Sequence, residues 1–226
     1  MSIYSEKYKF IFIHIPKNGG STFIMNHLSI PEGHHFKKFE NLNKDLGYER
    51  DPALGNHFTY MMMKDLCDKN NVDLDYENLF KFCVIRNPWA RMVSFYQHKI
   101  RKINKLVNGK PRNSEKDKEL LNKGFSTWLL NTENPSDRVI TKMPQLDWIT
   151  DSKGNIVCDR IISIENYDKE MKKLSEDLGL PDVPWRRYNF DKKQKTATYQ
   201  KFYDKKTKSH IEKYFAKDIE KFNFKF

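Results

Sequence analysis

Lys17-Asn18-Gly19-Gly20-Ser21-Thr22 gathers residue types that bind anions. Glycines let the backbone close on an anion, a lysine adds a full charge, and hydroxyls donate further hydrogen bonds. Arg86 and Ser94, eight residues apart, form a second such set. An arginine grips a phosphate through two parallel bonds, and a serine hydroxyl can donate a third. Both sets point to a ligand that carries phosphate-like groups.

Such groups need rigid supports, and the flanking sequence predicts them. Phe10 to Ile15 is an apolar, β-branched run that reads as a buried strand, ended by Pro16. Ser21-Thr22 then opens a helical pattern through Phe23, Ile24, Met25 and Leu28. Strand, glycine loop and helix together aim the free N–H groups and dipole of a helix start at the anion. Phe80 to Ile85 is a second apolar strand with Arg86 at its C-terminal end. Pro88 suits the first turn of the following helix. There Trp89, Met92, Val93 and Tyr96 recur at helical spacing and form an apolar face, with Ser94 a little over two turns along. The first loop is not the usual triphosphate loop, which needs Gly, four residues, then Gly-Lys-Ser/Thr. Here the lysine precedes the glycines, which disfavours a mononucleotide kinase or NTPase. Taken singly, Gly19-Gly20 only makes a turn, Arg86 is a surface arginine and Ser94 a hydroxyl facing solvent.

His14-x-Pro16-Lys17-x-Gly19-Gly20-Ser21 resembles the 5′-phosphosulfate loop of sulfotransferases, in particular the carbohydrate type related to heparan sulfate 2-O-sulfotransferase. Arg86-Asn87-Pro88-x-x-Arg91-x-Val93-Ser94-x-Tyr96 resembles the family's 3′-phosphate motif, in which an arginine and a serine eight apart hold the 3′-phosphate. The two motifs stand in the family's order, about sixty-five residues apart. Gly55-Asn56-His57-Phe58-Thr59-Tyr60 is similar to a segment of the 2-O group whose histidine, aligned with His57, acts as the catalytic base. An imidazole near neutral pKa suits that task. Without the two motifs, His57 reads as a loop histidine or a cap of a helix over Met61–Leu66.

The resemblance implies an α/β fold, with a single P-loop-like sulfotransferase domain over 1–226 and a central parallel sheet flanked by helices. The cofactor is then expected across the C-terminal ends of the strands finishing at Ile15 and Ile85. The implied reaction moves a sulfonate group from 3′-phosphoadenosine 5′-phosphosulfate (PAPS) to a hydroxyl of a carbohydrate or glycoconjugate, leaving adenosine 3′,5′-bisphosphate (PAP). Lys17, Asn18, Gly19, Gly20, Ser21 and Thr22 are expected at the 5′-phosphosulfate, and Arg86 and Ser94 at the 3′-phosphate. Lys17 would also neutralise charge on the leaving oxygen, and His57 would remove the hydroxyl proton. His14 and Glu165 are rival bases, with His14 better suited to anchor the loop and Glu165 to steady the sheet or a basic neighbour. No metal is required, because the protein supplies the cations.

The bulk numbers leave other readings open. Lys and Arg total 41 against 30 Asp and Glu, a net charge of +11. That charge suits an anionic partner, or merely keeps a lysine-rich surface solvated. A P-loop nucleotide or sugar kinase and a non-enzymatic binder of polyanions or nucleic acid therefore remain as alternatives, although no nucleic-acid partner is expected. Three cysteines, Cys67, Cys83 and Cys158, show neither a disulfide framework nor metal-ligand spacing, and Cys83 reads as core. Seven histidines are scattered, only His34-His35 being adjacent. No apolar run reaches transmembrane length and no signal peptide is visible. Animal Golgi members of the family carry an anchor before the first motif. With Met1 as the natural start, a cytoplasmic protein of bacterial or viral origin is expected.

Elsewhere the sequence predicts a basic loop or lid over Ile100–Lys123 and a short helix over Phe125–Leu130. A hairpin-like turn is expected at Ser152–Asn155, a strand over Val157–Ile164 and an amphipathic helix over Asn166–Leu178 stopped by Gly179. A last helix is expected over Ser209–Glu220. Pro144-Gln145-x-Asp147 and the segments after it are similar to the later part of the same family, but Tyr188–Thr196 departs from its usual Asn-x-Ser/Thr. Trp89, Trp128, Trp148 and Trp185 are read as core rather than as platforms for sugar rings.

Overall fold

A computed structural model describes residues 2–35, 37–38, 57–69, 74–75, 77–101, 106–107, 110–111, 115–131, 143–183, 186 and 198–226. In chain order its elements begin β1 (Ile3–Ser5), β2 (Phe10–Ile13), α1 (Gly20–Leu28), a 3-10 turn (Pro31–His35), β3 (Lys37–Lys38), α2 (Tyr60–Lys69) and β4 (Phe80–Ile85). Then come α3 (Pro88–Arg101), β5 (Leu106–Val107), β6 (Lys110–Pro111), α4 (Glu115–Asn122), α5 (Phe125–Leu130) and a 3-10 turn (Leu146–Trp148). The chain continues through β7 (Arg160–Ser163), α6 (Tyr167–Asp177), a 3-10 turn (Tyr199–Phe202), α7 (Lys205–Tyr214) and α8 (Ala216–Lys221). These fall into two compact units, one from 1–86 with 145–190 and one from 87–144 with 191–226.

The first unit holds a five-stranded sheet in the order β3-β1-β2-β4-β7. β2, β4 and β7 run parallel, as expected, while β1 is antiparallel to both β2 and β3. The difference lies in connection length. Long helical crossovers return a strand parallel, whereas the tight turn between Ser5 and Phe10 can only fold back. Phe10, Phe12, Phe82 and Val84 share one face of the sheet with Phe23 of α1 and Tyr167, Met171 and Leu174 of α6. Four phenylalanine rings lock this core, Phe12 lying 4.9 Å from Phe82 and 5.2 Å from Phe23. Residues of the other parity, Ile11, Ile13 and Cys83, are buried as well. Burial on both faces is why these strands read as continuous apolar runs. Gly179, at φ +60, closes α6 where the sequence predicts, and the turn at 152–155 is clasped by an antiparallel bridge between Thr150 and Ile156.

The second unit is mainly helical. α3 buries Trp89, Met92 and Val93, while Tyr96 is half-buried. Asn87 caps α3, its Oδ1 accepting from the N–H groups of Trp89 and Ala90 at 3.1 and 3.5 Å. Asp204 and Thr207 form a capping box at the start of α7. Two expectations change here. The final helix breaks at Phe215 into α7 and α8. Within the basic stretch 100–123, Glu115–Asn122 is a helix rather than loop, because Leu120 and Leu121 are buried beneath its charged residues. Trp89, Trp128 and Trp148 are core residues, whereas Trp185, Gly55, Asn56 and the segment Tyr188–Thr196 lie outside the described residues. Among the described residues no helix is long and apolar enough to cross a membrane.

Candidate active site

The glycine loop sits where β2 hands over to α1. Lys17 and Gly19 both take left-handed backbone conformations, at φ +70 and +82. For Lys17 that conformation costs about 1–2 kcal/mol, so other contacts must hold it. Asn18 Nδ2 donates to the Val84 carbonyl at 2.8 Å and to Gln145 Oε1 at 2.7 Å, in full burial. Arg86 Nη1 donates to the Lys17 carbonyl at 3.1 Å. The Tyr167 hydroxyl donates to the Gly19 carbonyl and accepts from the Phe23 N–H, both at 3.2 Å. The carbonyls of Lys17 and Gly19 are thus drawn to protein donors. The N–H groups of Gly20 and Ser21, first in α1, have no intrahelical acceptor. The Thr22 N–H instead closes a turn onto the Gly19 carbonyl at 3.0 Å.

Gly20 is needed for a different reason from Gly19. A Cβ there would stand 2.3 Å from His14 Cδ2 and 2.6 Å from its Nε2. The His14 ring therefore lies against the start of α1, stacked on Phe12 at 5.6 Å. His57 lies beside it, the ring centroids 4.7 Å apart, with Trp148 edge-on to His57 at 6.3 Å. His57 Nδ1 is 3.3 Å from the His14 carbonyl oxygen. A carbonyl only accepts, so Nδ1 carries the proton and Nε2 is the basic nitrogen of the neutral ring. His57 is thereby oriented in the tautomer a general base needs.

Arg86 follows the last residue of β4, half-buried. Its backbone N–H donates to Gln145 Oε1 at 2.9 Å, and its carbonyl accepts from Gln145 Nε2 at 2.8 Å. Burial pulls its guanidinium below the ordinary value, and the nearby Glu165 carboxylate opposes that shift. Glu165 also accepts from the Ser163 hydroxyl. Within the first unit the fold thus gathers the loop residues, Arg86, His14 and His57. Ser94 lies on α3 of the second unit, half-buried. Ser21 is half-buried and Thr22 buried.

Gln145 and Tyr167 escape sequence reasoning as site residues. Gln145 belongs to a Pro-Gln-x-Asp string whose resemblance carries no role, and Tyr167 reads as one apolar position of α6. Its hydroxyl, on an otherwise apolar helix face, was the signal available. No cluster of metal-ligating side chains occurs among the described residues. The loop offers N–H groups, an ammonium and, through Arg86, a guanidinium. Such a set of donors fits a ligand made of acceptor oxygens.

The sequence profile of the Sulfotransferase family matches residues 1–225. Among solved structures, the chain is similar to the mouse sulfotransferase SULT7A1 complexed with PAP, at 13% identity and a TM-score of 0.48, over 96% of this chain and 85% of that one. It is also similar to a sulfotransferase from Alicyclobacillus acidocaldarius, at 16% identity and a TM-score of 0.42, over 94% and 92% of the two chains. No curated protein matches.

Proposed function

Because the chain belongs to the Sulfotransferase family, we propose that it moves the sulfonate group of PAPS to a hydroxyl of a carbohydrate or glycoconjugate and releases PAP. The observation that carries the donor assignment is the 3.1 Å bond from Arg86 Nη1 to the Lys17 carbonyl. It joins two motifs that each suit a phosphate and that lie 69 positions apart in the chain. The carbohydrate class of the acceptor rests on the resemblance of the three motifs. Residues 1–226 are read as one catalytic domain.

PAPS supplies an activated sulfonate and a stable leaving group. The residues Asn18 to Thr22 hold its 5′ end, through the helix-start N–H groups of Gly20 and Ser21 and the hydroxyls of Ser21 and Thr22. Asn18 contributes by its backbone, since its side-chain N–H groups are spent on Val84 and Gln145. Arg86 takes the 3′-phosphate, and Ser94 is assigned beside it on motif spacing alone. His57 Nε2 accepts the proton of the acceptor hydroxyl as its oxygen bonds to sulfur. Lys17 stabilises the electron pair that departs with the bridging oxygen of the 5′-phosphate. No metal ion takes part in this scheme.

Calorimetric titration with PAP, with ATP and Mg²⁺, and with a long polyanion tests the proposal. PAP is expected to bind at a single site. Tight ATP binding without PAP binding would point to a kinase, and polyanion binding that falls steeply with salt, without PAP binding, would point to a polyanion binder.

A further inference from the structure

Gln145 is fully buried and uses both ends of its amide. Nε2 donates to the Arg86 carbonyl at 2.8 Å, while Oε1 accepts from the Arg86 N–H at 2.9 Å and from Asn18 Nδ2 at 2.7 Å. The pattern is that of a strand neighbour reduced to one side chain. β2 pairs with β4 only as far as Cys83, and β7 pairs with it only as far as Ile85. Arg86 therefore lies past the end of both ladders, where its backbone needs another partner. A primary amide alone among side chains presents a donor and an acceptor side by side as a peptide does. A glutamate carboxylate could not donate to the Arg86 carbonyl, and leucine or methionine would offer no partner to either Arg86 backbone group. The third bond ties the same amide to the glycine loop. Asn18 in turn is tied to β4 through the Val84 carbonyl.

We propose that Gln145 is a positioning residue that sets the spacing between the two phosphate grips, the loop at Asn18 and the guanidinium of Arg86. One rigid amide touches the residue that bears each grip, and the Arg86–Lys17 bond closes the circuit. A ligand that bridges the grips gains only if their separation is already correct, because strain or reordering would otherwise offset the second contact. A ligand that uses one grip alone gains nothing from that separation. Such spacing matters only if the donor assignment proposed above holds, and the experiment separates the two.

Wild type, Gln145→Met and Gln145→Glu are titrated calorimetrically with PAP, adenosine 5′-phosphate and adenosine 3′-phosphate. Wild type is expected to bind PAP more tightly than either monophosphate. Gln145→Met should weaken PAP about 10- to 100-fold, the scale of one or two lost hydrogen bonds with a charged ligand, and either monophosphate about threefold or less. Gln145→Glu keeps both accepted bonds but sets a buried carboxylate oxygen against the Arg86 carbonyl, so its loss of PAP affinity should again exceed that of either monophosphate. If the methionine variant does not fold, the glutamate variant decides by the same ratio. Equal loss for all three nucleotides would mark Gln145 as a merely structural residue, and an unchanged preference for PAP in a folded variant would equally overturn the proposal. Wild type without any preference for PAP would overturn the donor assignment, and the role of Gln145 with it.

Discussion

Gly20→Ala is a small perturbation with a consequence that can be worked from the structure. The backbone of Gly20 is helical, so alanine is not strained there as it would be at Gly19. The obstacle is space: the new methyl would lie 2.3 Å from His14 Cδ2 and 2.9 Å from Phe12 Cζ. His14 is 6% exposed and stacked on Phe12, so it cannot swing freely aside. Overpacking of this kind costs about 1–3 kcal/mol. Stiffening of the unfolded chain returns about 0.4–1 kcal/mol. Taken at their midpoints the two leave a net loss of about 1.3 kcal/mol, which corresponds to a Tm lower by about 3–5 °C in a chain of this size. Displacing His14 also moves the carbonyl that orients His57, so turnover should fall by about tenfold or more. In a His14→Ala background the clash is gone and Phe12 can yield into the vacated space. There the same substitution should keep only the unfolded-chain gain and stabilise by about 0.4–1 kcal/mol. Differential scanning calorimetry and steady-state rates on the four proteins of this cycle give both readouts. A Gly20→Ala protein with wild-type Tm and turnover would refute the reasoning, as would an equal penalty in the two backgrounds.

Lys17→Ala should lower turnover by roughly 10²–10³, while PAP affinity measured by calorimetry falls much less, because the ammonium matters most as the leaving oxygen gains charge. Turnover within a few-fold of wild type would remove Lys17 from the chemistry. His57→Ala should cost roughly 10²–10⁴ in turnover with PAP binding nearly intact. The wild-type rate should fall on acidification, because a protonated imidazole cannot accept the acceptor's proton. An unchanged acidic limb in the variant would move the role elsewhere. Burial holds the His27 pKa below its ordinary 6.5, partly offset by the bond to the Phe23 carbonyl. Below that pH the unfolded chain binds a proton that the folded chain resists. Stability should therefore fall from about pH 6.5 downwards, by at most about 1.4 kcal/mol per pH unit from this group. Thermal melts of His27→Met against wild type between pH 5 and 7.5 should show a shallower acid slope in the variant.

Much of this protein is written locally in its sequence. The run Phe10–Ile13 is apolar at every position and Phe80–Ile85 at all but Lys81, as strands buried on both faces need. Two glycines between a strand and a helix predict a turn there, and Arg86 is predicted at the end of the next strand, as found. The antiparallel placement of β1 and the helix over Glu115–Asn122 were harder to read. Three residues carry too little periodicity, and a charged stretch hides two buried leucines.

Sequence alone determined which residues carry charge and the order of strand, loop and helix, because each depends on side chains within one turn of one another. Tertiary structure decided the rest of the candidate site. That Gly20 makes room for His14, that the His14 carbonyl selects the tautomer of His57, and that Tyr167 bridges the loop are contacts between segments far apart in the chain. Gln145 is the clearest case. Its type says only that an amide is present. Its role arises because the ladders on both sides of β4 end before Arg86, leaving one backbone donor and one acceptor that the fold satisfies from 59 positions away.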